Sequence, residues 1–245
     1  SSAASDVYKR QTLLRDAGLA VASIRAVDQE EGIIYLEEIT GSTLDDAIQT
    51  SSPLDRARLS DRVIEVVGAL GAALHAQEGA LADRVAPGGD AESVRARFLS
   101  LIDHLHSLPQ TTRLTKLIET LADRPMTMGP TDYNARNIII SQDGTPHFID
   151  LAKVGYDWPE RRLVQYVTSL GAGRPGSTVT TLLDSVSIQH YGAQSTKARR
   201  SLDAHHFLFH TLALVRDLHV VQPALITPLS DWKIVKEARI AISKA

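Results

Sequence analysis

The chain has 245 residues, 43% hydrophobic and 22% charged, with a formal charge of −3. That balance supports a folded protein with a substantial core, and it excludes the strong basic field on which electrostatic binding of nucleic acid depends. The absence of cysteine excludes disulfides, thiolate metal sites and a cysteine nucleophile, and no apolar run is long enough to span a bilayer. These features predict a cytoplasmic protein with no nucleic-acid and no membrane partner; they leave the oligomeric state open.

In chain order, Ser1 to Gln11 come first. "SSAASDVYKRQ" reverse-translates without a break into eleven codons resembling a transposase library adapter, so residues 1–11 are expected to be extraneous and the natural chain to begin at or before Thr12. "TLLRDAGL" then has helical spacing, with Gly18 at the C-terminal cap. "VASIRAVD" and "GIIYLEEI", separated by the polar "QEEG", predict an antiparallel hairpin. After Gly41 the pattern turns helical, through "TLDDAIQ" and then "LDRARLSDRVIEVVGALGAALHAQ", where Val63, Val66, Val67, Leu70, Ala73 and Leu74 form one apolar face. Further helices are predicted over "SVRARFLSLIDHLHSL" and "TRLTKLIETLAD". "NIII" and "PHFIDLA", joined by "SQDG", predict a second hairpin. "WPERRLVQYVTSL", "TTLLDSVSIQHYG", "TKARRSLDAHHFLFHTLALVRDLHVV" and "DWKIVKEARIAIS" read as helices. The order predicts an α+β chain, with a small β-rich lobe and hinge over residues 12–40 and a mainly helical lobe over 41–245.

"GPTDYNARNIIISQDGTPHFIDLAK" carries the chemistry. Phosphoryl transfer needs a base to orient an acceptor hydroxyl and oxygen ligands to hold Mg²⁺ on the phosphates. Asp132 has the right chemistry for the base. Asn137, five residues on, offers an amide oxygen to a metal, and Asp150 at the end of the second hairpin offers a carboxylate. Asparagine occurs only twice in the chain, as Asn134 and Asn137, both inside this loop.

At these residues the sequence resembles the aminoglycoside phosphotransferase and choline kinase group of the protein-kinase-like fold. Its members carry a His-Gly-Asp-x4-Asn loop, a β-hairpin and an Ile-Asp metal site. The resemblance runs from Thr12 to about Arg174. It implies ATP and Mg²⁺ as cofactors and a small-molecule hydroxyl acceptor, with Asp132 as catalytic base and Asn137 and Asp150 as Mg²⁺ ligands. It also implies a hinge in which Glu37, Glu38 and Ile39 present backbone groups to adenine. The short span from Asp150 to "WPE" leaves no room for a long activation segment, which argues against an ordinary protein kinase.

Three positions depart from the family pattern. Pro130 and Thr131 replace His-Gly, and Arg162 stands near the place of an aspartate that supports the catalytic loop. The departures suit either a divergent subgroup with a rebuilt loop or an inactive pseudokinase serving as a nucleotide-binding or interaction domain. In "DWPERR", Asp157 reads as a helix N-cap and Glu160 as its capping-box partner. No glycine-rich hairpin and strand lysine precede Asp132 in the expected order, so the chain is expected to be an inactive, N-terminally truncated piece of an active parent. "GAGRPG" follows the catalytic loop and reads as a plain connection. His205, His206 and His210 read as core or surface histidines at the margin of a packed helix rather than as a metal site, and Lys153 as a surface lysine or a phosphate or substrate contact.

Overall fold

A computed structural model describes residues 3–28, 30–105, 119–121, 124–151, 153–169, 179–193 and 195–221. The first helix, α1 (Ala3–Asp16), stops at a glycine cap. Gly18 has φ 81°, its N–H donates to the Arg15 carbonyl, and Leu19 N–H reaches back to Leu14 at 3.0 Å. Strands β1 (Ile24–Asp28) and β2 (Ile33–Leu36) form the expected antiparallel ribbon, with Gly32 at φ 70° in its turn.

A short strand, β3 (Gly41–Thr43), follows where the sequence pattern points directly to helix. It pairs with β5 (Ile138–Ser141), which pairs with β6 (Pro146–Phe148), all antiparallel. A Cβ on Gly41 would lie 2.1 Å from the Ile140 carbonyl oxygen, so only glycine permits this approach. Val21 bridges to Phe148 on the far edge, tying the chain before β1 to the sheet. A second ribbon, β4 (Thr127–Pro130) against β7 (Val154–Asp157), carries little apolar alternation and is not evident in the sequence.

Helix α2 (Leu44–Thr50) is capped by Thr43, and α3 (Pro53–Ala76) by Ser52, whose oxygens accept from the N–H groups of Asp46 and Asp55. Val63, Val67, Leu70 and Leu74 of α3 are buried along the predicted face, with Val66 and Ala73 half-buried beside them. The short α4 (Glu78–Leu81) and α5 (Ala91–Leu105) follow. Next in the described chain is α6 (Pro159–Tyr166), which is shorter than its sequence pattern because Thr168–Ser169, β8, pairs with Thr180–Thr181, β9. For the same reason α7 (Ser185–Gly192) begins only after Asp184, whose carboxylate caps it. The 26-residue α8 (Thr196–Val221) packs against α6 and α7. "GAGRPG", most of "TRLTKLIETLAD" and "DWKIVKEARIAIS" lie outside the described residues.

The histidines of α8 divide between core and margin. His205 is buried, with its ring 5.5 Å from both Phe98 and Trp158, whereas His206 and His210 are half-buried. His205 is thus a core histidine, because its position on α8 faces the aromatic cluster. Burial pushes His205 down to about 3, with Arg161 acting in the same direction, and burial pushes His206 down to about 4. The unfolded chain takes up these protons near pH 6.5, and the folded chain only well below it. Stability present at neutral pH should drain as the pH falls from about 6.5 toward 4. Urea midpoints at pH 7 and pH 5 should converge in His205→Phe relative to the parent; an unchanged difference would contradict this account.

Candidate active site

The loop after β4 enters β5 through one turn of 3₁₀ helix, Ala135–Asn137, and its two asparagines shape it. Asn134 has an extended backbone and caps the turn, accepting from the Arg136 N–H at 2.9 Å. With its oxygen so engaged, its amide nitrogen faces the Asp132 carboxylate and donates to Oδ1 at 3.1 Å. Asn137 closes the loop from the other end, donating from Nδ2 to the Asp132 carbonyl at 2.9 Å. That bond leaves the Asn137 amide oxygen on the opposite side as an unused acceptor among the described residues.

Asp150 arrives beside Asn137 through hairpin register. Ile138 lies opposite Phe148, and the Ile149 N–H donates to the Asn137 carbonyl at 2.9 Å, so Asp150 follows at the open end of the pair. Its φ is 54°, and it is the one non-glycine residue with positive φ among those described. This backbone conformation costs on the order of 1 kcal/mol or more and persists where the surroundings enforce it. Asp150 is exposed and Asp132 half-buried.

Both carboxylates act on one buried group. The Tyr166 hydroxyl has no hydrogen-bond partner among the described residues. Burial raises its pKa first; Arg162 opposes that shift, and Asp132 and Asp150 add to it. No group of three or more His, Cys, Asp or Glu side chains placed to hold a metal ion occurs among the described residues; the Asn137 amide oxygen and the Asp150 carboxylate are oxygen donors of the kind a hard divalent cation such as Mg²⁺ takes.

Beneath the loop, the Tyr133 hydroxyl donates to Asp157 Oδ2, which also accepts from Arg161 at 2.7 Å. Asp157 Oδ1 accepts from the Trp158 N–H at 2.8 Å. Asp157 therefore belongs to the loop support, and the expected N-cap and capping box do not form. Trp158 holds the cap position without a side-chain bond, and Glu160 is fully buried. The first turn of α6 faces the interior, where Glu160 pairs with Arg124 and accepts from Ser201 Oγ at 3.0 Å and Tyr191 at 3.3 Å. Arg162 is also buried, with Nε donating to the Pro130 carbonyl at 3.3 Å.

The expected adenine contacts lie between β2 and β3. Glu37 N–H donates to the Ser23 carbonyl at 2.7 Å, so that donor is committed within the ribbon. Its carboxylate accepts from Ser23 N–H at 3.2 Å, and the Ser23 bonds hold its pKa below the usual value. Glu38 is exposed and Ile39 half-buried. The segment connects to the catalytic loop through β3 and its pairing with β5. The Lys153 side chain is exposed, while its carbonyl accepts from Thr131 N–H at 3.1 Å.

The profile of the phosphotransferase enzyme family, APH, matches residues 2–202, and the chain belongs to that family. An ADP-bound crystal structure of aminoglycoside phosphotransferase APH(2'')-Ib superposes with a TM-score of 0.51 at 12% identity, covering 96% of this chain and 79% of that one. That likeness identifies the α+β architecture as protein-kinase-like. A gentamicin complex of APH(2'')-IIa has a TM-score of 0.49 at 11% identity, over 98% of this chain and 78% of that one. Choline kinase LicA from Streptococcus pneumoniae has a TM-score of 0.44 at 13% identity, over 98% and 80%. No curated protein sequence matches the chain.

Asn134 was visible in the sequence as one of two asparagines, but its bond to Asp132 was not. Removing it should cost about 1–3 kcal/mol, the range for a buried hydrogen bond to a charged partner. Asn134→Asp should be less stable than Asn134→Ala at pH 7, because it sets a second carboxylate against Asp132. Urea unfolding at low and at high salt checks this: the gap should narrow as salt screens the repulsion, and Asn134→Asp as stable as Asn134→Ala would contradict the assignment.

Proposed function

We propose that this protein transfers the γ-phosphoryl group of ATP to a hydroxyl of a small molecule in the cytoplasm. The carrying observation is the Asn137-to-Asp132 bond, which joins a base to a free amide oxygen within one turn. In this reading Asp132 accepts the proton of the acceptor hydroxyl, and Asn134 holds its carboxylate in orientation. Asn137 and Asp150 hold Mg²⁺, which would neutralise charge on the phosphates. Residues 12–40 form part of the small lobe, and backbone groups at Glu37, Glu38 and Ile39 contact adenine, with the Glu37 carbonyl rather than its N–H available. The acceptor class spans aminoglycosides, sugars and choline-like alcohols. The inactive pseudokinase reading rested on Pro130 and Arg162, and their mutual hydrogen bond supports a rebuilt loop instead.

The test uses protein expressed from its native start codon, supplied with Mg-ATP and a panel of hydroxyl acceptors. Asp132→Asn should lower kcat by about 10²–10⁴, the range for a general base, while nucleotide affinity is kept. Asp150→Asn should instead abolish the Mg²⁺ dependence of ADP binding, read by calorimetry. Mg-nucleotide binding without turnover would identify the protein as a binder, and turnover that survives Asp132→Asn would remove the assigned base.

A further inference from the structure

Arg162 is 4% exposed, and its guanidinium makes four hydrogen bonds to neutral oxygens. Nε donates to the Pro130 carbonyl at 3.3 Å and Nη1 to Thr127 Oγ1 at 3.2 Å, while Nη2 donates to the carbonyls of Thr127 at 2.8 Å and Gly155 at 3.0 Å. The neighbouring carboxylate of Asp157 is already taken by Arg161 and Tyr133. A buried cation without its own ion pair is costly, and these carbonyls offset the cost only if they are held in place.

The surroundings are cut to fit it. Gly129 and Gly155 face each other in the β4–β7 register, and a Cβ on Gly129 would lie 2.5 Å from Arg162 Cζ and 2.7 Å from Nε and Nη1. The guanidinium therefore occupies the space a side chain at 129 would need. Pro130 has no N–H, so its peptide nitrogen offers nothing to an acidic support, whereas its carbonyl matches a cationic donor. An acceptor side chain at 162 would meet that carbonyl lone pair to lone pair. Pro130 and Arg162 thus form one complementary pair of inverted polarity.

The same side chain reaches both flanks of Asp132. On one side it holds Pro130, two residues before the base; on the other its Cζ sits 5.9 Å from the centre of the Tyr133 ring. Tyr133 is in turn fastened to Asp157. We propose that Arg162 is a positioning residue that sets the Asp132 carboxylate through Pro130 and Tyr133, with Gly129 as its required seat. This role rests on the phosphotransfer reading above.

The experiment compares Arg162→Met, Arg162→Lys, Gly129→Ala and the double variant Gly129→Ala/Arg162→Met in the protein expressed from its native start codon. Three quantities are read: steady-state kinetics, Mg-ADP affinity, and hydrogen exchange of the nucleotide-free protein. A misplacement of about 1 Å costs roughly 10²-fold in rate, so Arg162→Met should lose about that much kcat with Mg-ADP affinity kept. Arg162→Lys should recover part of the loss. Gly129→Ala keeps the arginine and displaces it, so it should reproduce the Arg162→Met defect even if that variant folds poorly. The double variant should be no slower than Arg162→Met alone, because both changes break one unit. Exchange should rise at residues 131–137 and stay unchanged in α3 and α8. Parental kcat in Arg162→Met, additive losses in the double variant, or exchange raised equally throughout the helical lobe would overturn the proposal. If the parent itself transfers no phosphate while 131–137 loosens in Arg162→Met, the phosphotransfer reading falls and the loop brace stands.

Discussion

The hydrogen bond from the Asn137 amide to the Asp132 carbonyl organises the centre of this molecule. It closes a five-residue separation into a single loop and fixes which end of the Asn137 amide faces the Asp132 backbone. A carboxylate and an amide oxygen on a chain this short would otherwise sample many relative placements. The β5–β6 register then supplies the third group without another long-range contact, since Ile149 N–H bonds directly to the Asn137 carbonyl.

The support under the loop comes from buried and half-buried ions rather than from apolar packing alone. Asp157, Arg161, Arg162, Glu160 and Arg124 lie within or against the first turns of α6, and each charge is met by hydrogen bonds from a different element. Such clusters contribute little net stability, because desolvation consumes much of the attraction. They do resist partial rearrangement, since moving one partner strands another in a low-dielectric interior. That resistance suits a loop whose asparagines and aspartates must stay aligned while the strained backbone of Asp150 is held in place.

The legible parts of the sequence were those governed by local physics. Helix α3 carries periodic apolar residues, and both hairpins carry turn residues where the chain reverses. The loop stood out because Asp132, Asn137 and Asp150 follow a demanding order and because asparagine occurs nowhere in the chain outside it. Long-range polarity was not. Strand β3 has three residues and no alternation, and β4 with β7 depends on Gly129 and Gly155 facing each other, which only the folded register reveals. Glu160 has the spacing of a capping box, yet it is itself fully buried and pairs with the half-buried Arg124 instead of the end of its helix. Arg162 looked like a lost support because its partner is a carbonyl, and carbonyls leave no trace in residue identity.

The central claim is that Asn137 and Asp150 share one metal ion on a nucleotide. A crystal structure of the protein with Mn²⁺ and ADP, with the metal located by its anomalous scattering, tests it most directly. The account predicts an anomalous peak within coordination distance of Asn137 Oδ1 and an Asp150 carboxylate oxygen, with Asp132 beyond it facing the acceptor side. Nucleotide bound with its metal elsewhere, or with the Asn137 amide turned away from it, would contradict the account.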